Sequence, residues 1–186
     1  MSNRGGRVIT MKSEENEILE QYDLSTDEYL YKVEDKYAPL VGVFLFRFSE
    51  LEHTLNLEIA ELISDRTHEP GYVVIENLTM TNKIQLFYKF VLRYVSEVGK
   101  DKDVDKLKKL KDQLIEINSF RNKVVHANWH TINKLGMVRT KISVDGQGGY
   151  VLFKKVQILP KTISHQIKEI EKLTLELESF AEIMNY

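Results

Sequence analysis

The chain has 186 residues, 42% of them hydrophobic, with three prolines and nine glycines: enough apolar material for one sizeable core, and too few breakers for long linkers. Its 26 basic and 28 acidic side chains leave a formal charge of -2, which excludes a global field for nucleic acid and confines any polyanion contact to a local patch. Cysteine is absent, so disulfides, thiolate zinc sites and cysteine nucleophiles are excluded together.

The opening MSNRGGRVITMK has the composition of a disordered segment, and residues 13–36 are strongly charged, with Ser25 and Glu28 spaced as a capping box for a short helix. Residues 1–36 are therefore read as a charged N-terminal arm, and 37–186 as the folded domain. No apolar stretch suits a signal peptide, and no run of about 18 apolar residues suits a membrane span, so the expectation is a cytoplasmic protein.

A first core helix is predicted from Pro39, a residue suited to a first turn, to about Ser64, with Leu45, Phe48, Leu55, Ile59 and Leu62 at helical spacing. After a loop around His68, Pro70 and Gly71, a second helix carries Ile84, Phe87, Val91, Val95 and Val98, with Thr79 or Thr81 as its cap and Gly99 as its end. A third begins near Asp103, runs through Leu107, Leu110, Leu114 and Ile117, and is expected to end near His130. Between 135 and 159 the period changes to two: Val138, Thr140, Ile142 and Val144 alternate with polar residues, and DGQGG leads into YVLFKKVQI, a β-hairpin pattern. Beyond Pro160, Ile163, Ile167, Ile170, Leu177, Phe180 and Met184 restore helical spacing. The predicted fold is all-α: four main helices and a short N-terminal helix, with the hairpin inserted between the third and fourth.

Two charges interrupt the apolar stripes. In the third helix Leu107, Leu110, Leu114, Ile117, Arg121 and Val124 are spaced 3, 4, 3, 4, 3, so an arginine fills an apolar position. In the first, Leu45, Phe48, Glu52, Leu55, Ile59 and Leu62 repeat that spacing around a carboxylate. Buried charges cost several kcal/mol unless paired, so the expectation is that Glu52 and Arg121 meet between the helices. Asn122 and His126 lie one turn apart on a flank shared with Val125 and Trp129, about 140° round from Arg121 in the case of His126. A structural reading stands beside this: arginine can lay its methylenes on apolar surface and snorkel, and a lone histidine can be an ordinary surface group.

Arg121-Asn122-Lys123-Val124-Val125-His126 resembles the R-x4-6-H motif of the HEPN superfamily, with a polar residue after the arginine. The layout of residues 38 to 186 is similar too: the motif ends the third long helix of a bundle. The resemblance implies a HEPN-like bundle and a metal-independent endoribonuclease, active as a homodimer in which two motif helices form one cleft. It also implies a prokaryotic toxin or antiviral effector, with RNA as substrate and a neutralising antitoxin or regulatory protein as a further partner. Arg121 would stabilise the five-coordinate phosphate, His126 would act as acid and base on the 2′-hydroxyl to leave a 2′,3′-cyclic phosphate, and Asn122 would orient them. Glu52, Trp129 and His130 would support the site. In relatives of the toxin type a tyrosine stands two residues after the histidine; here that position is Asn128, which offers no such group for modification. The alternative within the same resemblance is a non-catalytic nucleotide- or protein-binding module.

Lys108, Lys109 and Lys123 lie in a lysine-rich run that could track an RNA backbone, although Asp101, Asp103, Asp105 and Asp112 dilute it. No metal site is expected: Ala127 follows His126, so the HExxH glutamate is missing, and Lys106 stands where a calcium loop needs glycine. No cofactor is implied.

Overall fold

The computed structural model describes residues 27–64, 66–98, 101–126, 128–131, 137–144 and 151–184, and most of these are helical. The elements run α1 (Asp27–Ile63), α2 (Glu69–Ile75), α3 (Met80–Val98), α4 (Asp101–Val125), β1 (Asn128–Thr131), β2 (Met137–Val144), β3 (Val151–Gln157) and α5 (Pro160–Met184). None of the described helices is long and apolar enough to cross a membrane. The first dozen residues, Gly99 and the DGQGG turn lie outside the described residues.

α1 begins at Asp27, twelve residues before the proline expected to start it, so Pro39 lies inside the helix. Proline in a helix interior removes one backbone donor and favours a break. Here Val33 and Tyr37, both upstream of the proline, are buried in the core, and that burial holds the chain helical across it. The stretch 27–36 therefore belongs to α1 rather than to a separate arm or short helix.

The buried stripe of α1 is Phe44, Phe48, Leu51, Leu55 and Ile59, while Leu45 and Leu62 sit half-buried at its edge. It packs chiefly against α5, whose Ile163, Ile170, Leu173 and Leu177 are buried in the same core, and also against α2 and α3. Contacts between Thr81 and Asn118 and between Tyr88 and Lys111 make α3 and α4 antiparallel neighbours. Their facing stripes, Ile84, Phe87, Val91 and Val95 with Leu107, Leu110, Leu114 and Ile117, are buried as the spacing requires. Phe120 of α4 meets Phe44 of α1 edge-on, ring centroids 5.2 Å apart.

Thr79 is the cap of α3: its Oγ1 accepts the Asn82 N–H at 3.3 Å. Thr81 instead accepts from Asn118 Nδ2 at 3.1 Å. α2 replaces the expected loop. Glu69 and Pro70 open it, a combination that helix N-termini favour, and Ile75 anchors its inner face.

α4 ends at Val125 rather than near His130. The next residues form β1, which pairs antiparallel with β2, while β2 pairs with β3, giving the order β1-β2-β3. The register sets Trp129 opposite Arg139 and His130 opposite Val138. His126 and His130 are therefore not one helical turn apart, and Trp129 does not share the helical flank of Asn122.

Two glycines separate close packing from free space. A Cβ built on Gly71 would lie 2.3 Å from Ala60 Cα, because α2 is pressed onto α1 at that point. On Gly42, in mid-α1, a Cβ would meet nothing within 4 Å. Gly71→Ala is expected to destabilise the fold by about 1–3 kcal/mol through overpacking, whereas Gly42→Ala should stabilise it by about 0.5–1 kcal/mol through helix propensity. Urea unfolding of the two variants checks both signs.

Candidate functional site

The residues flagged by the broken stripes gather where the C-terminal end of α4 crosses the middle of α1 and the start of α3. Helical spacing places Arg121 between the buried Ile117 and Val124, so its stem is drawn into the seam. Its guanidinium carbon lies 5.8 Å from the ring centroid of Phe48, a cation–π distance. Its Nη1 donates to Oδ1 of Asn122 at 3.1 Å, whereas its Nε is buried and has no hydrogen-bond partner among the described residues. A buried donor left unpaired costs about 1–3 kcal/mol. The arginine is thus half held and half unsatisfied.

Glu52 does not pair with Arg121. Its Oε1 accepts from Lys83 Nζ at 2.8 Å. Lys83 is only 8% exposed, so its ammonium is largely withdrawn from water. An ammonium is compact and strongly hydrated, so stranding it without an anion costs more than leaving a guanidinium resting on an aromatic face. Lysine therefore takes the carboxylate. The sequence carried a signal for this: Met80, Lys83 and Phe87 are spaced 3 and 4, the same rule that exposes Arg121 and Glu52, applied one position off the Ile84 stripe.

Asn118, buried and one turn before Asn122, fixes α4 to α3 through Thr81. His126 follows the last turn, its N–H donating to Asn122 O at 3.1 Å, and its side chain is exposed beside Asn122 and the 41% exposed Val125. Trp129 folds back from β1, half-buried, and its Nε1 donates to Val124 O at 3.1 Å. That bond satisfies a carbonyl that the end of α4 leaves without a helical partner. Trp129 thus acts on the site by closing the helix.

The structure joins Arg121 to Asn122 on α4 and sets Glu52 with Lys83 one turn of α1 from Phe48, on which Arg121 rests, whereas His126 projects just after α4 from a different side of the helix, with Trp129 behind. Lys123 lies half-buried on the same turns. Lys108 and Lys109 are exposed more than three turns away, roughly 18 Å along the helix at ~1.5 Å per residue, and do not join this group. His130 lies on β1. No group of three or more potential metal ligands occurs among the described residues. No family model matches the chain, and no curated protein or solved structure matches it either.

A second electrostatic feature lies toward the other end of α1. Burial, then the neighbouring Glu61 and Glu178, push the Glu58 carboxyl up from its usual 4.5 to about 7. His68 Nε2 stands 3.5 Å from Glu61 Oε1. Since the folded-state value of Glu58 exceeds the unfolded one, the folded protein binds the extra proton, and stability falls as pH rises from about 4.5 through about 7. Solvent still reaches this side chain, so the effect is discounted to about 1 kcal/mol at most. Glu58→Gln should raise the melting temperature at pH 8 more than at pH 5.5 and flatten the slope between them. An unchanged slope would remove Glu58 as its source.

Proposed function

We propose that this chain is a HEPN-like, metal-independent endoribonuclease that works as a homodimer. The observation that supports it most is the common placement of Arg121, Asn122 and His126 on the closing turns of α4, with Nη1 of Arg121 bonded to Asn122 and His126 open to solvent. In this reading the imidazole takes the proton of a ribose 2′-hydroxyl, and the freed oxygen attacks the adjacent phosphorus. The 5′-oxygen of the next nucleotide leaves with a proton returned by an imidazole, and a 2′,3′-cyclic phosphate remains. Arg121 stabilises the charge that builds on the phosphoryl oxygens, and Asn122 fixes the guanidinium plane. The exposed Val125 beside His126 is suited to a twofold contact that brings a second His126 to the cleft. A prokaryotic toxin or antiviral effector restrained by a partner protein is the biological setting proposed for such an activity.

A second reading, a non-catalytic nucleotide- or protein-binding module, is favoured by one observation: Arg121 is already engaged by Asn122 and Phe48, as a structural anchor would be.

Incubation with total RNA in excess EDTA separates the two. The nuclease is expected to give fragments ending in 2′,3′-cyclic phosphate, with loss of about 10²-fold or more in His126→Ala and Arg121→Ala. Undiminished cleavage by His126→Ala refutes the catalytic assignment, and no cleavage with retained ligand binding selects the module. Light scattering at micromolar concentration is expected to give twice the monomer mass.

A further inference from the structure

Three ionic side chains converge on the seam of α1, α3 and α4: one carboxylate, Glu52, and two cations, Lys83 and Arg121. Phe48, on whose ring the Arg121 guanidinium lies, is one helical turn before Glu52 on α1. A carboxylate one turn from an arginine's resting place is within the reach of two flexible side chains, and a bidentate pair with arginine is the strongest geometry open to it. Glu52 nevertheless holds Lys83, and Arg121 keeps a buried Nε–H without an acceptor among the described residues. One positive charge, that of Arg121, is left without a carboxylate among the described residues at the end of α4. That is the complement of an oxyanion.

We propose that Lys83 is a positioning residue for Arg121: by occupying Glu52 it keeps that carboxylate off the guanidinium and leaves Arg121 open to a phosphate oxygen. The inference deepens the reading of Arg121 as a phosphate ligand and adds a competition to it. Removing the ammonium releases Glu52, which then captures Arg121 and closes the site. Removing both partners leaves Arg121 open again. Loss on a single substitution and recovery on the double distinguishes this from ordinary structural support, which two buried substitutions would damage further.

The test uses inorganic phosphate and the full chain. Melting temperatures are measured in phosphate and in chloride at matched ionic strength for wild type, Lys83→Met, Glu52→Gln/Lys83→Met and Arg121→Ala. The baseline melt of each variant reports whether it folds. Arg121→Ala reports the general stabilisation by phosphate, which is subtracted. Wild type and the double variant are expected to gain about 2–4 °C beyond that baseline, and Lys83→Met to gain none. A full phosphate shift in Lys83→Met, no shift in wild type, or no recovery in a folded double variant overturns the proposal. RNA cleavage by the same proteins separates this inference from the nuclease reading. If the phosphate pattern holds and no RNA is cut, the lock stands and the nuclease fails. If wild type and Lys83→Met cut RNA equally, the nuclease stands and the lock is overturned.

Discussion

In the seam of α1, α3 and α4 the carboxylate of Glu52 holds the buried Lys83 and not Arg121, although each of the two charges stands on an apolar stripe. Lys83 is buried at the start of α3 and needs Glu52, and that bond ties α3 to the middle of α1. Arg121, excluded from the pair, spreads over Phe48 and turns one nitrogen to Asn122. Asn118 and Thr81 then pin α4 to the same turn of α3. The polar contacts at this end of the bundle therefore form a layer across α1, α3 and α4. The large side chains of the main core, Phe44 and Phe87 among them, fill the helix seams around it.

The chemistry available at the end of α4 follows from this arrangement. A guanidinium paired with Glu52 would be neutralised; a guanidinium beside an occupied Glu52 keeps its charge. His126 closes the last hydrogen-bonded turn by donating its N–H to Asn122 O, and it is exposed there. Trp129 stops α4 by taking the Val124 carbonyl, and this helps to define the position from which His126 projects.

The long helices were legible because their stripes are strictly periodic: Ile84, Phe87, Val91 and Val95, and Leu107, Leu110, Leu114 and Ile117, are buried as the 3.6 repeat requires. Three features were not. The start of α1 was hidden by Pro39, whose local preference is overridden by the burial of Val33 and Tyr37, a tertiary effect. α2 spans seven residues and contains both proline and glycine, too short for periodicity to register. The end of α4 was misplaced because Trp129 extends the helical spacing by chance, while β1 exists through pairing with β2, the next strand in the chain, which helical spacing does not register. In the site itself, Arg121, Asn122 and His126 were legible from motif and spacing. The partner of Glu52 was not, because both candidate cations satisfied the same stripe rule and only their depth of burial decides between them.

A pair of double-mutant cycles measured by urea unfolding tests the central claim most directly, one cycle on Glu52 and Lys83 and the other on Glu52 and Arg121. The account predicts a coupling of about 1 kcal/mol or more for Glu52 with Lys83 and less than about 0.5 kcal/mol for Glu52 with Arg121. The reverse order of the two couplings would contradict it.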